Sequence, residues 1–278
     1  MRYLFGLFCL LLAITVQAEL LKVQPFHYSR KPSPTAGNES LRLPFVTANS
    51  MQVAKKINNT IFMDIFQSPA PAKLNSKLTL PKIDGTEFDE ASGIYALDYR
   101  VLLNNGKVLA LATQGEYCGA YCEESKHYYH FDAQNGRQLK IEALIKSTSL
   151  KSLQNKVLQA RVSKMKKTIK ALKKQLAADE KKGKKYDEED DPESKVLLYE
   201  SCIAEATNAN KEFGYNGELE NFYMNDKGIT FTHERCSNHA MRALDDIDVF
   251  SNFYDYNTLK PYFSDDAKAL LHSNKVAR

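Results

Sequence analysis

Apolar residues recur at two main spacings along this chain, and each spacing predicts one kind of element. A four-residue step that runs from Val53 to Ile65 predicts a helix with one buried face. Asn49 and Ser50 are both residue types that cap helix N-termini, so the helix should begin there. Pro69 should end it, because proline cannot continue a helix.

Alternating apolar positions predict β-hairpins in two parts of the chain. "SGIYALDYRVLL" alternates and is followed by an Asn-Gly turn at residues 105–106 and by "KVLALATQGEYC". "KHYYHFDAQNGRQLKIEALI" adds a strand, a second Asn-Gly turn at residues 135–136 and a short helix. "ELENFYMNDKGITFTHE" predicts another hairpin that turns at residues 225–228, and a last short helix should start near Thr258.

A third pattern, with steps of four and three residues, predicts a long helix with a seam of the coiled-coil type. Its apolar positions are Leu158, Val162, Met165, Ile169, Leu172 and Leu176. We expect this helix to project into solvent. We also expect it to pair with a helix that starts near Pro192 and carries Val196, Tyr199 and Ile203.

These elements predict an α+β fold, in which an antiparallel sheet built from hairpins is packed with helices and carries a long charged helical-hairpin insertion. Residues 1–18 form a signal peptide, and residues 19–46, with four prolines, an extended N-terminal arm. Residues 47–146 form the first α+β half and residues 147–195 the charged insertion. Residues 196–278 complete the same domain.

The first residues have the three parts of a secretory signal. Arg2 is positive, residues 4–16 are mostly apolar, and Val16-Gln17-Ala18 offers small residues where a signal peptidase cleaves. The apolar run is too short to span a bilayer, which takes about 20 residues, and no later stretch is long and apolar enough. We therefore expect a periplasmic or secreted protein without a transmembrane segment, cleaved near Ala18.

Charge is unevenly distributed along the chain. Residues 151–185 contain 13 lysines and arginines against two acids, and residues 187–193 contain six acids. The net charge of +4 therefore combines a basic helix with an acidic patch beside it. A solvated helical hairpin is the plainer interpretation, and binding of anionic cell-wall polymer is the alternative. Export argues against nucleic acid as a partner.

Four cysteines remain after removal of the signal, and an exported chain with an even number favours two disulfides. A zinc site built from Cys118, Cys122, Cys236 and His239 is the alternative, because these are zinc-ligating residue types. We favour disulfides and predict no metal and no cofactor. Three pairings are possible, and we favour Cys118 with Cys122 and Cys202 with Cys236.

The motifs of common enzyme classes do not occur in the sequence. There is no G-x-S-x-G, no H-E-x-x-H and no phosphate-binding loop. Asp245, Asp246, Asp248 and Asp255 form an acidic cluster, but their spacing matches no calcium loop. We therefore predict a binding protein rather than an enzyme.

Several of these segments together resemble a known family. They are "INNTIF", "YALDYRVLLNNGKVLALATQGEYCGAYC", "YYHFDAQNGRQLKIEALI", "GITFTHERC" and "NTLKPYF". In this order they resemble the bacterial extracytoplasmic domain of unknown function found beside peptidoglycan deacetylases and in a lysozyme-sensing anti-sigma factor. The most specific run is formed by Phe131, Asp132, Asn135, Gly136, Leu139 and Ile141.

The resemblance implies a protein partner that acts on the cell wall, such as a lysozyme-like peptidoglycan hydrolase or a toxin. This chain would then act as a sensor, inhibitor or immunity protein. Tyrosines cluster around the loop between Cys118 and Cys122, and tyrosine is enriched at protein interfaces. We therefore predict that Tyr117, Tyr121 and Glu123 contact the partner. A structural or accessory envelope protein that binds anionic cell-wall polymer is the competing hypothesis.

Overall fold

A computed structural model describes residues 20–29, 40–83, 86–87, 93–118, 122–187, 191–212, 217–247 and 249–271. The predicted signal peptide lies outside these ranges. Within them, no helix combines the length and the apolar character needed to cross a membrane. Helices and antiparallel sheets are mixed along the chain, which confirms the predicted α+β class.

Ten strands are arranged in four antiparallel sheets within the described residues. They are β1 (Lys22–Ser29), β2 (Ser40–Thr47), β3 (Lys82–Ile83), β4 (Thr86–Glu87), β5 (Ile94–Asn104), β6 (Val108–Cys118), β7 (Cys122–Asp132), β8 (Phe222–Met224), β9 (Gly228–His233) and β10 (Phe250–Asp255). The sheet orders are β1-β2, β3-β4, β5-β6-β7 and β10-β9-β8.

The helices lie between and after these strands. They are α1 (Met51–Phe66), α2 (Ile141–Leu144), α3 (Ser147–Glu180), α4 (Pro192–Glu212), α5 (Gly217–Glu220), α6 (Tyr256–Leu259) and α7 (Asp265–Leu271). A 3₁₀ helix spans His239–Leu244.

The predicted N-terminal arm over residues 19–46 is wrong, because strands β1 and β2 of this segment form a hairpin that belongs to the core. Phe26, Leu43 and Phe45 are buried in the first of three hydrophobic clusters. Prolines suggested an unpaired arm, yet Pro25 and Pro44 face each other in the register. In an antiparallel ladder a non-hydrogen-bonded pair needs no N–H, so two prolines can oppose each other there.

Helix α1 is confirmed, and it packs its apolar stripe on this hairpin. The hydroxyl of Ser50 accepts a hydrogen bond from the backbone N–H of Val53 and caps the first turn. Ile57 and Ile61 are fully buried. The side chain of Asn58 is buried as well and hydrogen-bonds both backbone groups of Val46, at 2.7 Å from its N–H and 2.9 Å from its C=O. This amide fastens the helix to the end of β2.

The three-stranded sheet β5-β6-β7 contains the hairpin β5-β6 and the further strand that the alternating pattern predicted. Gly106 and Gly136 have φ angles of 77° and 71°, as the Asn-Gly turns require. One face of the sheet covers α1 and the first cluster, which contains Leu111, Tyr129 and Phe131.

The helical insertion predicted over residues 147–195 is only partly separate from the body. Its seam is confirmed at Leu158, Met165 and Leu172, which are buried with Tyr199 of α4 in a third cluster. The start of α3, however, packs in a second cluster against β8, β9, α2, α6 and α7 through Leu153 and other side chains. The predicted boundary at residue 147 therefore does not separate two independently packed units, because the start of α3 shares the second cluster with the body.

Candidate functional site

The far end of the three-stranded sheet is closed by a disulfide bond. Cys118 ends β6 and Cys122 begins β7, and the two residues face each other in the register. They are bonded to each other, with 4.0 Å between their Cα atoms. The bond ties the two strands where the hairpin would otherwise fray. Tyr121 lies in the loop at 119–121, outside the described residues.

The second disulfide joins Cys202 of α4 to Cys236 in the loop after β9, with 5.9 Å between their Cα atoms. Both pairings are those favoured from the sequence. They separate the ligands of the alternative zinc site, because Cys236 is bonded to Cys202. Among the described residues, Glu116 lies within metal-ligating distance of Cys118 and Cys122. Zinc binds cysteine as the thiolate, and the sulfurs of Cys118 and Cys122 are bonded to each other, so neither is a thiolate in this structure.

The structure places two predicted contact residues differently from each other. Tyr117 is half-buried and packs on the first hydrophobic cluster, and this burial raises the pKa of its phenol. Part of its side chain stays accessible, and its contact with a partner stays a prediction. Glu123 is exposed at the start of β7, and Arg235 forms an ion pair with its carboxylate. This ion pair links the loop after β9 to the end of the sheet.

Sequence reasoning missed a polar surface on the other face of the sheet, which we call the polar face. It surrounds a shallow hollow of about 420 Å³ with a floor of small residues such as Ala96 and Ala112. Its charged and amide side chains are Asp98, Arg100, Gln114, Glu116 and Glu124. The available signal was the alternate placing of polar residues, Asp98 and Arg100 in β5 and Gln114 and Glu116 in β6, which puts them on one face.

The polar face carries one unfavourable arrangement of charge. Glu116 and Glu124 face each other directly in the register of β6 and β7. Like charges in this position destabilise an antiparallel pair by roughly 0.2–1 kcal/mol. Partial compensation comes from Gln114, whose amide nitrogen lies 3.4 Å from a carboxylate oxygen of Glu124. A second contact, from Arg100 to the amide oxygen of Gln114, also measures 3.4 Å.

A groove of about 820 Å³ runs along the outer edge of β7, and we call it the edge groove. One wall is helix α1 and the other is formed by Glu220, Asn221 and Glu234. On the α1 side, the phenol of Tyr129 donates a hydrogen bond of 2.5 Å to the carboxylate of Asp64. Burial and the Asp64 carboxylate both raise the pKa of that phenol.

Two polar side chains of β7 on this side of the sheet, Ser125 and His127, are within hydrogen-bond distance, at 3.2 Å. Both nitrogens of a catalytic histidine are usually engaged, one by the nucleophile and the other by an orienting group. In the described part of the chain, no carboxylate is hydrogen-bonded to His127. His130 lies on the opposite face, buried and stacked on Phe222. His127 and His130 therefore cannot share one ion, because side chains three positions apart on a strand point to opposite faces.

The acidic side chains that the sequence places close together over residues 245–255 make contacts within the protein where the structure describes them. Asp245 accepts hydrogen bonds from the hydroxyl of Tyr199 and the N–H of Ser237. Asp246 pairs with Lys195 at 2.9 Å, and Asp255 caps α6. Asp248 lies outside the described residues.

His233 is buried beside Glu218, with 3.2 Å between its Nε2 atom and a carboxylate oxygen. Arg161 of α3 pairs with the same carboxylate at 2.8 Å. Burial raises the pKa of Glu218. Burial, and then the charge of Arg161, lower the pKa of His233 to about 4, so this histidine is neutral at neutral pH. The cluster joins the middle of α3 to α5 and β9.

Neither a protein-family model nor a curated protein matches this sequence. Two solved structures are similar to the chain over nearly their whole length. One is a DUF3298 family member from Bacteroides fragilis, with a TM-score of 0.48 and 13% identity over 91% of this chain and 97% of the other. The second is a DUF3298 family protein from Pseudomonas aeruginosa, with a TM-score of 0.43 and 8% identity over 90% and 98%.

Proposed function

We propose that this chain is an exported binding protein that presents the disulfide-closed end of its sheet to a positively charged surface of a protein partner. The partner class is a cell-wall-active protein, such as a lysozyme-like peptidoglycan hydrolase or a toxin. The chain would sense, inhibit or give immunity against it. It carries out no catalysis of its own in this proposal.

The single observation that carries the proposal is the facing pair Glu116 and Glu124. Like charges directly opposite each other destabilise an antiparallel pair, so we expect these two carboxylates to lower the stability of the free protein. A lysine or arginine from a partner, placed between them, would turn the repulsion into two attractive contacts. Such a pair is therefore better suited to a bound state than to the free state, which favours binding as its purpose.

The rest of the sheet supports rigid presentation of this pair. Strands β6 and β7 are paired without interruption from the Cys118–Cys122 disulfide down to the buried core. A surface that is already ordered loses little conformational entropy on binding, so more of the contact energy appears as affinity. On the opposite face of the same end, the ion pair between Glu123 and Arg235 ties the loop after β9 to β7.

Export is supported by two features that do not depend on each other. The first residues have the composition of a secretory signal. The four cysteines that follow the signal are paired as disulfides, which form and persist outside the reducing cytosol. The sequence resemblance to an extracytoplasmic domain agrees with both.

The test is a calorimetric titration of the mature chain with a lysozyme-type hydrolase, with lytic activity followed in parallel. Glu116→Gln combined with Glu124→Gln keeps the shape of both side chains and removes their charge. Glu193→Gln, in the first turn of α4, is the matched control because it removes an acid far along the chain from the sheet. We expect the double variant to bind about tenfold more weakly and the control to bind as wild type.

The second candidate function is binding of anionic cell-wall polymer, and the charge of α3 favours it. Lys166, Lys167, Lys170 and Lys174 are exposed along this helix. Cosedimentation with isolated peptidoglycan carrying its anionic polymers separates the two candidates. Sedimentation that is abolished by changing these four lysines to glutamine, together with no hydrolase binding, would favour the polymer.

A further inference from the structure

The edge groove lies beside backbone groups of β7 that point away from the sheet. The order β5-β6-β7 makes β7 an edge strand. Near its end, the C=O of His130 accepts a hydrogen bond of 2.7 Å from the N–H of Leu139. The N–H of Asp132 donates one of 2.8 Å to the C=O of Arg137. Both bonds lead to the segment after the turn, on the side away from β6.

Along an antiparallel strand, the N–H and C=O groups of successive residues point alternately to the two sides of the strand. Every second residue before His130 therefore directs its backbone groups to the same side as His130 does. The register with β6 has no bulge over this length. The N–H and C=O groups of Glu124, Lys126 and Tyr128 therefore also point outward. Among the described residues, none forms a backbone hydrogen bond with these outward groups. The open stretch is five residues long, or about 16 Å.

Open edges of this kind are normally covered or blocked, because they invite pairing with another strand. Here the edge is left open and flanked by two walls, with helix α1 on one side and residues 220–221 on the other. An extended segment placed beside β7 would therefore lie in the edge groove between these two walls.

The charged residues that line the edge groove indicate the chemistry of the occupant. Asp64, Glu220 and Glu234 contribute carboxylates, and among the described lining residues Lys126 contributes the opposing charge. We propose that an extended peptide segment carrying lysine or arginine binds along β7 as a fourth strand of the sheet. The inference rests on the proposed function, because the segment would belong to the protein partner.

In this arrangement the backbone of the segment hydrogen-bonds Glu124, Lys126 and Tyr128, and its alternate side chains face the two walls. Backbone pairing provides affinity for any extended segment. The carboxylates of Asp64, Glu220 and Glu234 then select the basic ones. A second copy of this chain, paired edge to edge, is the main competing occupant.

The experiment uses the mature chain and short synthetic peptides, with amide exchange followed residue by residue by NMR. One peptide alternates valine and lysine, and its matched control alternates valine and glutamate. We expect the lysine peptide to slow exchange at the amides of Glu124, Lys126 and Tyr128. The amides of Ser125 and His127 already face β6, so their exchange should change little.

A pair of variants tests the same inference through binding. Lys126→Pro removes the outward N–H, whereas Lys126→Ala removes the same charge and keeps that N–H. We expect Lys126→Pro to bind the lysine peptide about tenfold more weakly than Lys126→Ala does. If Lys126→Pro does not fold, the exchange pattern of the wild-type protein decides the question.

Several results would overturn the inference. They are no binding of the lysine peptide, equal binding of the glutamate peptide, and protection that does not alternate along β7. Dimerisation of the free protein, with these amides already protected, would show that a second copy covers the edge. If the hydrolase binds and the peptide does not, this inference fails alone. If the peptide binds and the hydrolase does not, the proposed partner class fails alone.

Discussion

Replacement of Asn58 by alanine should be among the most damaging single changes in the first cluster. The amide of Asn58 is 4% exposed and forms hydrogen bonds with the N–H and the C=O of Val46, which is fully buried. Alanine leaves both backbone groups without this partner. Each unsatisfied buried group costs about 1–3 kcal/mol. A water molecule admitted to the space could recover part of this, so we expect a loss of about 2–4 kcal/mol.

The assay is urea unfolding followed by far-ultraviolet circular dichroism, because the chain contains no tryptophan for fluorescence. Asn59→Ala is the matched control, since the Asn59 side chain accepts one hydrogen bond, of 3.1 Å from the N–H of Ala70, in a less buried position. We expect the control to lose about 1 kcal/mol. An Asn58→Ala protein as stable as the control would refute the view that this amide fastens α1 to β2.

Three further predictions concern the core, the second disulfide and acid stability. Leu153→Ala should lower the free energy of unfolding by about 2–5 kcal/mol, and Leu176→Ala by much less, because Leu176 is only half-buried. Equal urea midpoints for the two variants would mean that α3 does not pack on the body. Cys202→Ser with Cys236→Ser opens a loop of sequence separation 34 and should cost about 3–4 kcal/mol by the same assay; an unchanged midpoint would contradict this. Burial lowers the pKa of His130 from 6.5 to about 3, so protonation favours the unfolded chain and stability should fall as pH drops below 6.5 towards 3. His130→Phe should reduce this loss of stability between pH 6.5 and 3. An equal loss in the variant and in wild type would assign the pH dependence to other groups.

The parts of the fold that were predictable from the sequence are those governed by neighbours in sequence. Helix α1 follows from its four-residue step and its Ser50 cap, and the seam of α3 follows from its heptad spacing. The turns at Gly106 and Gly136 follow from the conformational freedom that Asn-Gly supplies. The cysteine pairing was favoured from the sequence, but export and spacing left three pairings open.

The parts that were not predictable depend on packing between distant segments. The prolines of β1 and β2 indicated an arm, and only their facing positions in the hairpin make them acceptable. The edge groove combines Asp64 of α1 with Glu220 and Glu234, which lie far apart in the sequence. No local pattern shows that these carboxylates share one surface. The packing of Tyr117 on the first cluster was not predictable either, because strand alternation does not reveal which face of a sheet is covered.

The measurement that tests the central claim most directly is the dissociation constant for a lysozyme-type hydrolase of wild type against Glu116→Gln with Glu124→Gln. The account predicts about tenfold weaker binding by the double variant. It also predicts that the variant is more stable than wild type by about 0.2–1 kcal/mol, because the facing carboxylates repel each other. Equal affinity for the hydrolase in the two proteins, or no binding by wild type, would contradict the claim that this end of the sheet is a binding surface.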